Sequence, residues 1–205
     1  PWPEYDEMIH TLLTSSARVA GHVYLWGFPE IMARYAVDVT PPLQLEAWLT
    51  WYYKNNPSVI RGWRSAQMTC LHFRQGEAPM YPYHFLNEKQ MKLKEAGKLR
   101  YMPGPPSVLD DAADHPMDVI ESALLVGFIG KKEQTGHKAQ KPVKVYEKLL
   151  LMVTDDSEVV VDPMAGSGTT GATALLTGRR AILADINDDY VSMMEERLQV
   201  ERLRI

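Results

Sequence analysis

The stretch that decides the reading of this chain is Val159-Val-Val-Asp162-Pro-Met-Ala-Gly166-Ser-Gly168-Thr-Thr-Gly171. Three β-branched residues suit a strand. An acid, a proline and spaced glycines follow, and then Thr169 to Thr177 has the composition of a helix that Gly178 ends. Glycine tolerates backbone conformations and close approaches that other residues do not. A strand that delivers a glycine turn into a helix has the plan of a ligand-binding loop at the strand's carboxyl end or of an ordinary β–α turn; for a ligand, the question is which one.

Phosphate cradles fit poorly. A Walker A loop needs a lysine after its last glycine, whereas Gly168 is followed by Thr169 and no lysine is near. A dinucleotide fingerprint needs G-x-G-x-x-G with an acid about 20 residues on. Gly166, Gly168 and Gly171 meet that spacing, and Asp185 stands near the right distance to accept ribose hydroxyls. Asp162 argues against a pyrophosphate. An acid directly after the strand would repel it and suits an amine-bearing ligand better, because opposite charges favour one another.

Working outward, the chain after residue 142 alternates between the two periods. Val143–Thr154 is amphipathic, Val159–Pro163 is a strand, Gly168–Gly178 a helix, Arg179–Asn187 a strand and Asp188–Leu203 a final helix. That order predicts parallel strands with crossover helices. Upstream, 6–19 reads as a helix, 21–28 as a strand and 29–37 as a helix, with 36–39 turning into a further strand before Pro41-Pro42. Residues 44–54 read as a helix start that runs into a strand over 48–53, and 66–75 as a strand that buries Cys70. A helix is expected at 87–97 and a strand or helix at 115–128; the rest of 76–135 is irregular. The expected fold is α/β, one Rossmann-like domain over 1–205 with a mixed, mainly parallel sheet flanked by helices.

Bulk composition bounds the function class. The 205 residues are 45% hydrophobic and 23% charged with a formal net charge of −4, so no global basic character marks a nucleic-acid binder. A local basic face remains compatible with that charge. One cysteine excludes an internal disulfide framework and a cysteine metal cluster. No apolar run approaches the ~18 residues of a membrane span. The expectation is a cytoplasmic protein.

Three segments resemble one family. DPMAGSGTT (162–170) is very similar to the S-adenosylmethionine loop D-P-F-x-G-S-G-T-T of amino-methylating DNA methyltransferases; HKAQKP (137–142) resembles their H-x-[TS]-Q-K-P segment; and RRAILADINDDYVSMMEERL (179–198) resembles their next strand and helix. The order matches as well. In the β-class arrangement the catalytic D-P-P-[YW] motif precedes the cofactor loop. PWPEY (1–5) is similar to its tail, with Pro1 as second proline, Trp2 as the aromatic and Tyr5 beside them. The resemblance then implies that the motif's acid precedes Pro1. LTWYYKNNP (49–57) resembles the family's W-x-K-x-N stretch. The chain departs at Gln67-Met68, where members often carry His-Glu.

The resemblance implies S-adenosylmethionine as cofactor, held by Asp162, Pro163, Met164, Ala165, Gly166, Ser167, Gly168 and Thr169, by Asp185 and Ile186, and by His137 and Lys141. Asp162 is expected to face the cofactor's amino group and Asp185 the ribose, with Asn187 or Asp188 capping the last helix. Trp2 is expected to stack on a base flipped out of the duplex. The implied activity is methyl transfer to an exocyclic amine of DNA, adenine N6 ahead of cytosine N4. The alternatives are RNA adenine methylation, in enzymes that share D-P-P-W but lack this loop, and a non-catalytic methyltransferase-like DNA-binding subunit. Lys54, Arg61, Trp63, Arg64 and Lys138 are the candidate nucleic-acid contacts, and Trp51 stands beside them as core or contact. Loops 55–65 and 76–135 are the candidate recognition elements. A homodimer or a methyltransferase-like partner is compatible with this plan. The histidines show no metal spacing, and no metal is assigned.

Overall fold

The computed structural model describes residues 2–53, 66–109 and 133–203. They fall into two compact units.

The first unit holds helix α1 (Trp2–Ala17), strand β1 (His22–Gly27), helix α2 (Pro29–Val37), strands β2 (Leu43–Tyr52) and β3 (Gln67–Gln75), and a short β4 (Val108–Leu109). The strands lie in the order β1-β3-β2-β4. β3 is antiparallel to both its neighbours, and β4 runs parallel to β2. α1 buries Ile9, Leu13 and Ala17, a four-residue repeat that keeps one face on the core. Met32 and Tyr35 of α2 join them over Leu25, Leu43, Leu71 and Phe73 of the sheet. Alternation sends Cys70 and His72 of β3 to the opposite face, where they too are buried. His22 donates from Nε2 to the Pro79 carbonyl (2.8 Å) and accepts at Nδ1 from His72 Nε2 (3.0 Å). Tyr24 stacks on the His72 ring at 4.5 Å. Burial, then the nearby His22, lowers the His72 pKa to about 3.

Two local expectations are corrected here. Residues 43–52 are strand throughout, with no helical start, because Leu43 to Tyr52 pair with β3 from Gln75 back to Gln67 across one irregularity at Leu45/Ala47. Ladder hydrogen bonds along that length override the local pattern of Gln44 to Trp48. Nor does 36–39 become a strand. α2 continues to Val37 and closes when the Asp38 N–H donates to the Arg34 carbonyl.

The second unit holds a 3₁₀ turn (Pro82–Phe85), helix α3 (Glu88–Glu95), helix α4 (Val143–Val153), strand β5 (Val159–Asp162), helix α5 (Thr169–Leu176), strand β6 (Arg180–Leu183) and helix α6 (Asp188–Arg202). α3 starts on a reciprocal cap between Asn87 and Gln90. β5 and β6 are parallel, and α5 is the crossover between them. A Cβ on Gly171 would lie 2.5 Å from Leu183, so the helix packs against the sheet where only glycine fits. Buried Arg179 anchors the start of β6 by donating from Nε to Thr154 Oγ1 (3.2 Å), from Nη2 to the Thr154 carbonyl (2.9 Å) and from Nη1 to Asp156 (3.2 Å) and the Thr177 carbonyl.

The α/β architecture and the βαβ order of 159–183 match the expectation, while the antiparallel pairings belong to β1, β2 and β3. Loop 55–65 and residues 110–132, which include the segment 115–128, lie outside the described residues. No described helix is long and apolar enough to cross a membrane.

Candidate functional site

The site in the second unit begins where β5 ends. Asp162 shapes the turn, accepting from the Met164 N–H at Oδ1 (3.1 Å) and from the Thr170 hydroxyl at Oδ2 (2.5 Å). It thereby ties the loop's entry to the first turn of α5. The Ala184 N–H donates to the Asp162 carbonyl and the Ala165 N–H to the Ala184 carbonyl, both at 2.9 Å, so the loop stays attached to the chain leaving β6. Gly166 and Gly168 both lie in the left-handed region, at φ 50° and 71°, which costs an L-residue with a side chain roughly 1–2 kcal/mol. A Cβ on Gly166 would stand 2.9 Å from His137 Nε2.

Asp185, just beyond β6, bridges the two loops. Its Oδ2 accepts from the Gly166 N–H (2.8 Å) and its Oδ1 from the Asn187 N–H (3.0 Å). Asn187 is the cap of α6, accepting from the Asp189 N–H at 2.9 Å. Each oxygen of Asp162 and Asp185 retains acceptor capacity for a ligand hydroxyl or ammonium. Ile186 is fully exposed next to Asp185, and Met164 is half exposed on the loop. Together these groups offer anionic acceptors, backbone groups and an apolar surface.

His137 stands over Gly166 and meets Tyr190 of α6 edge to face at 4.4 Å. Its Nδ1 accepts from the Ala139 N–H (3.1 Å). Burial lowers its pKa against the opposing pull of Asp185, which favours a neutral ring protonated at Nε2. Lys141 enters through its backbone, the carbonyl accepting from the Thr169 hydroxyl at 3.1 Å. Lys138 is exposed. The loop thus brings together Asp162 to Thr169, His137, Lys141 and Asp185, with Ile186 and Lys138 at its surface.

One participant has no counterpart among the sequence expectations. Arg197 of α6 is buried, and its Nη1 donates to the Ser167 carbonyl (3.0 Å) and to Thr169 Oγ1 (2.9 Å). Its signal was the spacing Tyr190, Met194, Arg197, which puts all three on one helical face.

The first unit holds the other candidate group. Trp2 opens α1 and, with Tyr5, Gly27, Phe28 and Ile31, lines an apolar slot of about 490 Å³ at the carboxyl end of β1. Trp2 is 56% exposed and therefore open to stacking. Tyr5 meets it edge to face at 6.2 Å, and the Arg34 guanidinium sits 5.6 Å from its centroid. Arg34 is held by Asp6 at 3.0 Å, and the Tyr35 hydroxyl donates to the same carboxylate at 2.7 Å. Trp51 is buried in β2, edge-on to Trp26 at 6.4 Å, so it belongs to the core. Pro1, Lys54, Arg61, Trp63 and Arg64 lie outside the described residues. Among the described residues no group of three or more His, Cys, Asp or Glu could hold a metal ion.

Comparison with known proteins places this arrangement. The type II methyltransferase M.HpaI of Haemophilus parainfluenzae is 27% identical over 206 residues, covering 97% of this chain and 60% of that protein. The DNA adenine methyltransferase YhdJ of Escherichia coli K12 is 40% identical over 68 residues, 33% of this chain and 23% of that protein. Each match thus covers less than two thirds of the relative's length. The crystal structure of the M1.HpyAVI–SAM complex superposes with a TM-score of 0.70 at 18% identity, covering 96% of this chain and 84% of that one. The family model described as DNA methylase matches residues 31–196, which takes in the glycine loop, Asp185 and most of α6. On that match, with the shared fold, this chain belongs to the DNA methylase family of N6 and N4 amino-methyltransferases.

Proposed function

We propose that the chain is the methyltransferase domain of an S-adenosylmethionine-dependent DNA methyltransferase acting on an exocyclic amine, adenine N6 ahead of cytosine N4. The observation that carries this reading is the loop 162–169, with its two left-handed glycines, closed by Asp185 from the end of the neighbouring parallel strand. These residues fit the cofactor. Asp185 would accept from the ribose hydroxyls, Asp162 from the ammonium of the methionine part, and Ile186 would cover an apolar ring face. No lysine lies in the loop to neutralise a pyrophosphate. When bound, the cofactor supplies an electrophilic methyl group on its sulfonium.

The chain's own contribution is positioning and exclusion of water. Chemistry on an exocyclic amine requires the base outside the stack. The Trp2 slot offers the planar wall for it, with Tyr5 and Phe28 on its margin. Base–aromatic stacking contributes roughly 1–3 kcal/mol. Holding the reacting groups in a productive geometry removes much of the entropic barrier to such a transfer. The acceptors for the amine hydrogens are assigned, from the D-P-P-W resemblance, to the motif positions ahead of Trp2. The preference for adenine rests on that aromatic form and on the likeness to YhdJ; the family model spans both bases. Lys138 and the basic residues at 54–64 are proposed to face the phosphate backbone.

Calorimetric titration tests the cofactor half of this reading. S-adenosylmethionine should bind the intact protein, and Asp185→Ala should weaken binding about tenfold or more, since a charge-assisted hydrogen bond contributes roughly 1.5–3 kcal/mol. Failure of the intact protein to bind would overturn it.

A further inference from the structure

Arg197 is an arginine almost fully withdrawn from water whose partners are not core groups but the two loops that meet at the glycine turn. Nη1 donates to the Ser167 carbonyl at 3.0 Å, and Ser167 lies between the left-handed glycines 166 and 168. The same nitrogen donates to Thr169 Oγ1 at 2.9 Å. Thr169 gives its own proton to the Lys141 carbonyl (3.1 Å), so its oxygen relays Arg197 to the 137–142 segment. Nη2 reaches Glu133 Oε1 at 3.4 Å. That oxygen also accepts from the Val143 N–H (2.8 Å), the first of α4, where Pro142 supplies no side-chain cap. Gln140, itself buried, closes the segment by donating to the Glu133 carbonyl (2.7 Å) and accepting from the Thr135 N–H (2.8 Å) and hydroxyl (2.9 Å).

We propose that Arg197 is a positioning residue for the cofactor loop: one guanidinium fork fixes the 166–168 turn and latches the 133–142 segment, with His137, onto it. The fork suits this task because it is planar and presents donors in two directions at once. Ser167 is then held from both sides, by Arg197 at its carbonyl and, through the preceding glycine, by Asp185 at the Gly166 N–H. The site is thereby built by α6 as much as by the loop that carries the glycine signature. This inference rests on the reading of the loop as a cofactor site.

The test compares the intact protein with Arg197→Met and Arg197→Lys by calorimetric titration of S-adenosylmethionine, at a temperature where circular dichroism shows each variant folded. Arg197→Met should raise the dissociation constant about tenfold or more, and Arg197→Lys by a smaller factor, since an ammonium keeps the charge without the fork. In turnover, the KM for the cofactor should rise in parallel while kcat at saturating cofactor stays within about twofold, as expected when binding is lost uniformly. If the intact protein does not bind, the cofactor reading itself fails. If it binds and the folded variants bind equally well, whatever their melting temperatures, Arg197 is structural and the proposal is overturned. Should Arg197→Met not fold, Arg197→Lys decides by the same criterion: weaker binding supports the proposal and unchanged binding overturns it.

Discussion

Replacing Gly166 with alanine separates two costs that the structure makes countable. The backbone lies at φ 50°, so any L side chain meets a left-handed penalty of roughly 1–2 kcal/mol. The new Cβ would also stand 2.9 Å from Nε2 and 3.1 Å from Cε1 of His137. That ring cannot yield freely, because Nδ1 is bonded to the Ala139 N–H and its edge meets Tyr190 at 4.4 Å. Forced overpacking of this kind costs about 1–3 kcal/mol. Alanine recovers about 0.4–1 kcal/mol by restricting the unfolded chain. The net expectation, from these three terms, is a loss of roughly 1–4.5 kcal/mol. Gly178 provides the control, at φ 74° with nothing within 4 Å of the place a Cβ would take. Gly178→Ala should therefore cost only about 0–1.5 kcal/mol on the same reckoning. Urea unfolding of both variants measures the difference, and titration with S-adenosylmethionine should show weakened binding in Gly166→Ala alone. Equal stabilities, together with unimpaired binding by Gly166→Ala, would refute the claim that His137 is packed into the loop.

Further outcomes follow from other residues. The His72 pKa is lowered to about 3 by burial, so its contribution to stability is full above the unfolded value near 6.5 and is lost as pH falls toward 3. Between pH 7 and pH 5 this one group should remove about 2 kcal/mol, and denaturant titrations of the intact protein and His72→Gln at both pH values should differ by that amount; parallel pH profiles would contradict it. Trp2→Ala should cut kcat/KM for DNA about 5- to 150-fold, the equivalent of one stacking contact, and leave cofactor affinity unchanged, whereas Trp2→Phe should keep most of the activity. Arg179→Met should lower stability by about 2–3 kcal/mol, because the Thr154 and Thr177 carbonyls lose a buried charged donor, again with unchanged cofactor affinity in calorimetry.

How much of this was legible in the sequence depended on whether the determinant was local. The turn 162–171 was legible because a left-handed backbone and a tight helix–strand contact each demand glycine, and that demand is written directly at 166, 168 and 171. The cap at Asn187 was legible for the same reason. Strand β2 was legible only in its second half. Its first half is a strand because β3 pairs with it, and nothing within residues 44–48 says so. Arg197 was missed because an arginine in a charged C-terminal helix reads as solvated unless its face is known. Asp162 was identified as a site residue, but its engagement by Thr170 and Met164 depends on how the loop closes, which spacing alone does not specify. The slot beside Trp2 likewise needed α1 and the end of β1 brought together before Phe28 became part of it.

The central proposal, amino-methylation of DNA, is tested most directly by sequencing DNA from cells that express the protein, with modified bases detected. N6-methyladenine should appear at one recurring sequence context, and at a lower level in cells expressing the Trp2→Ala variant. N4-methylcytosine in its place would contradict the assignment of adenine, and DNA without any methylated amine would contradict the proposed activity itself.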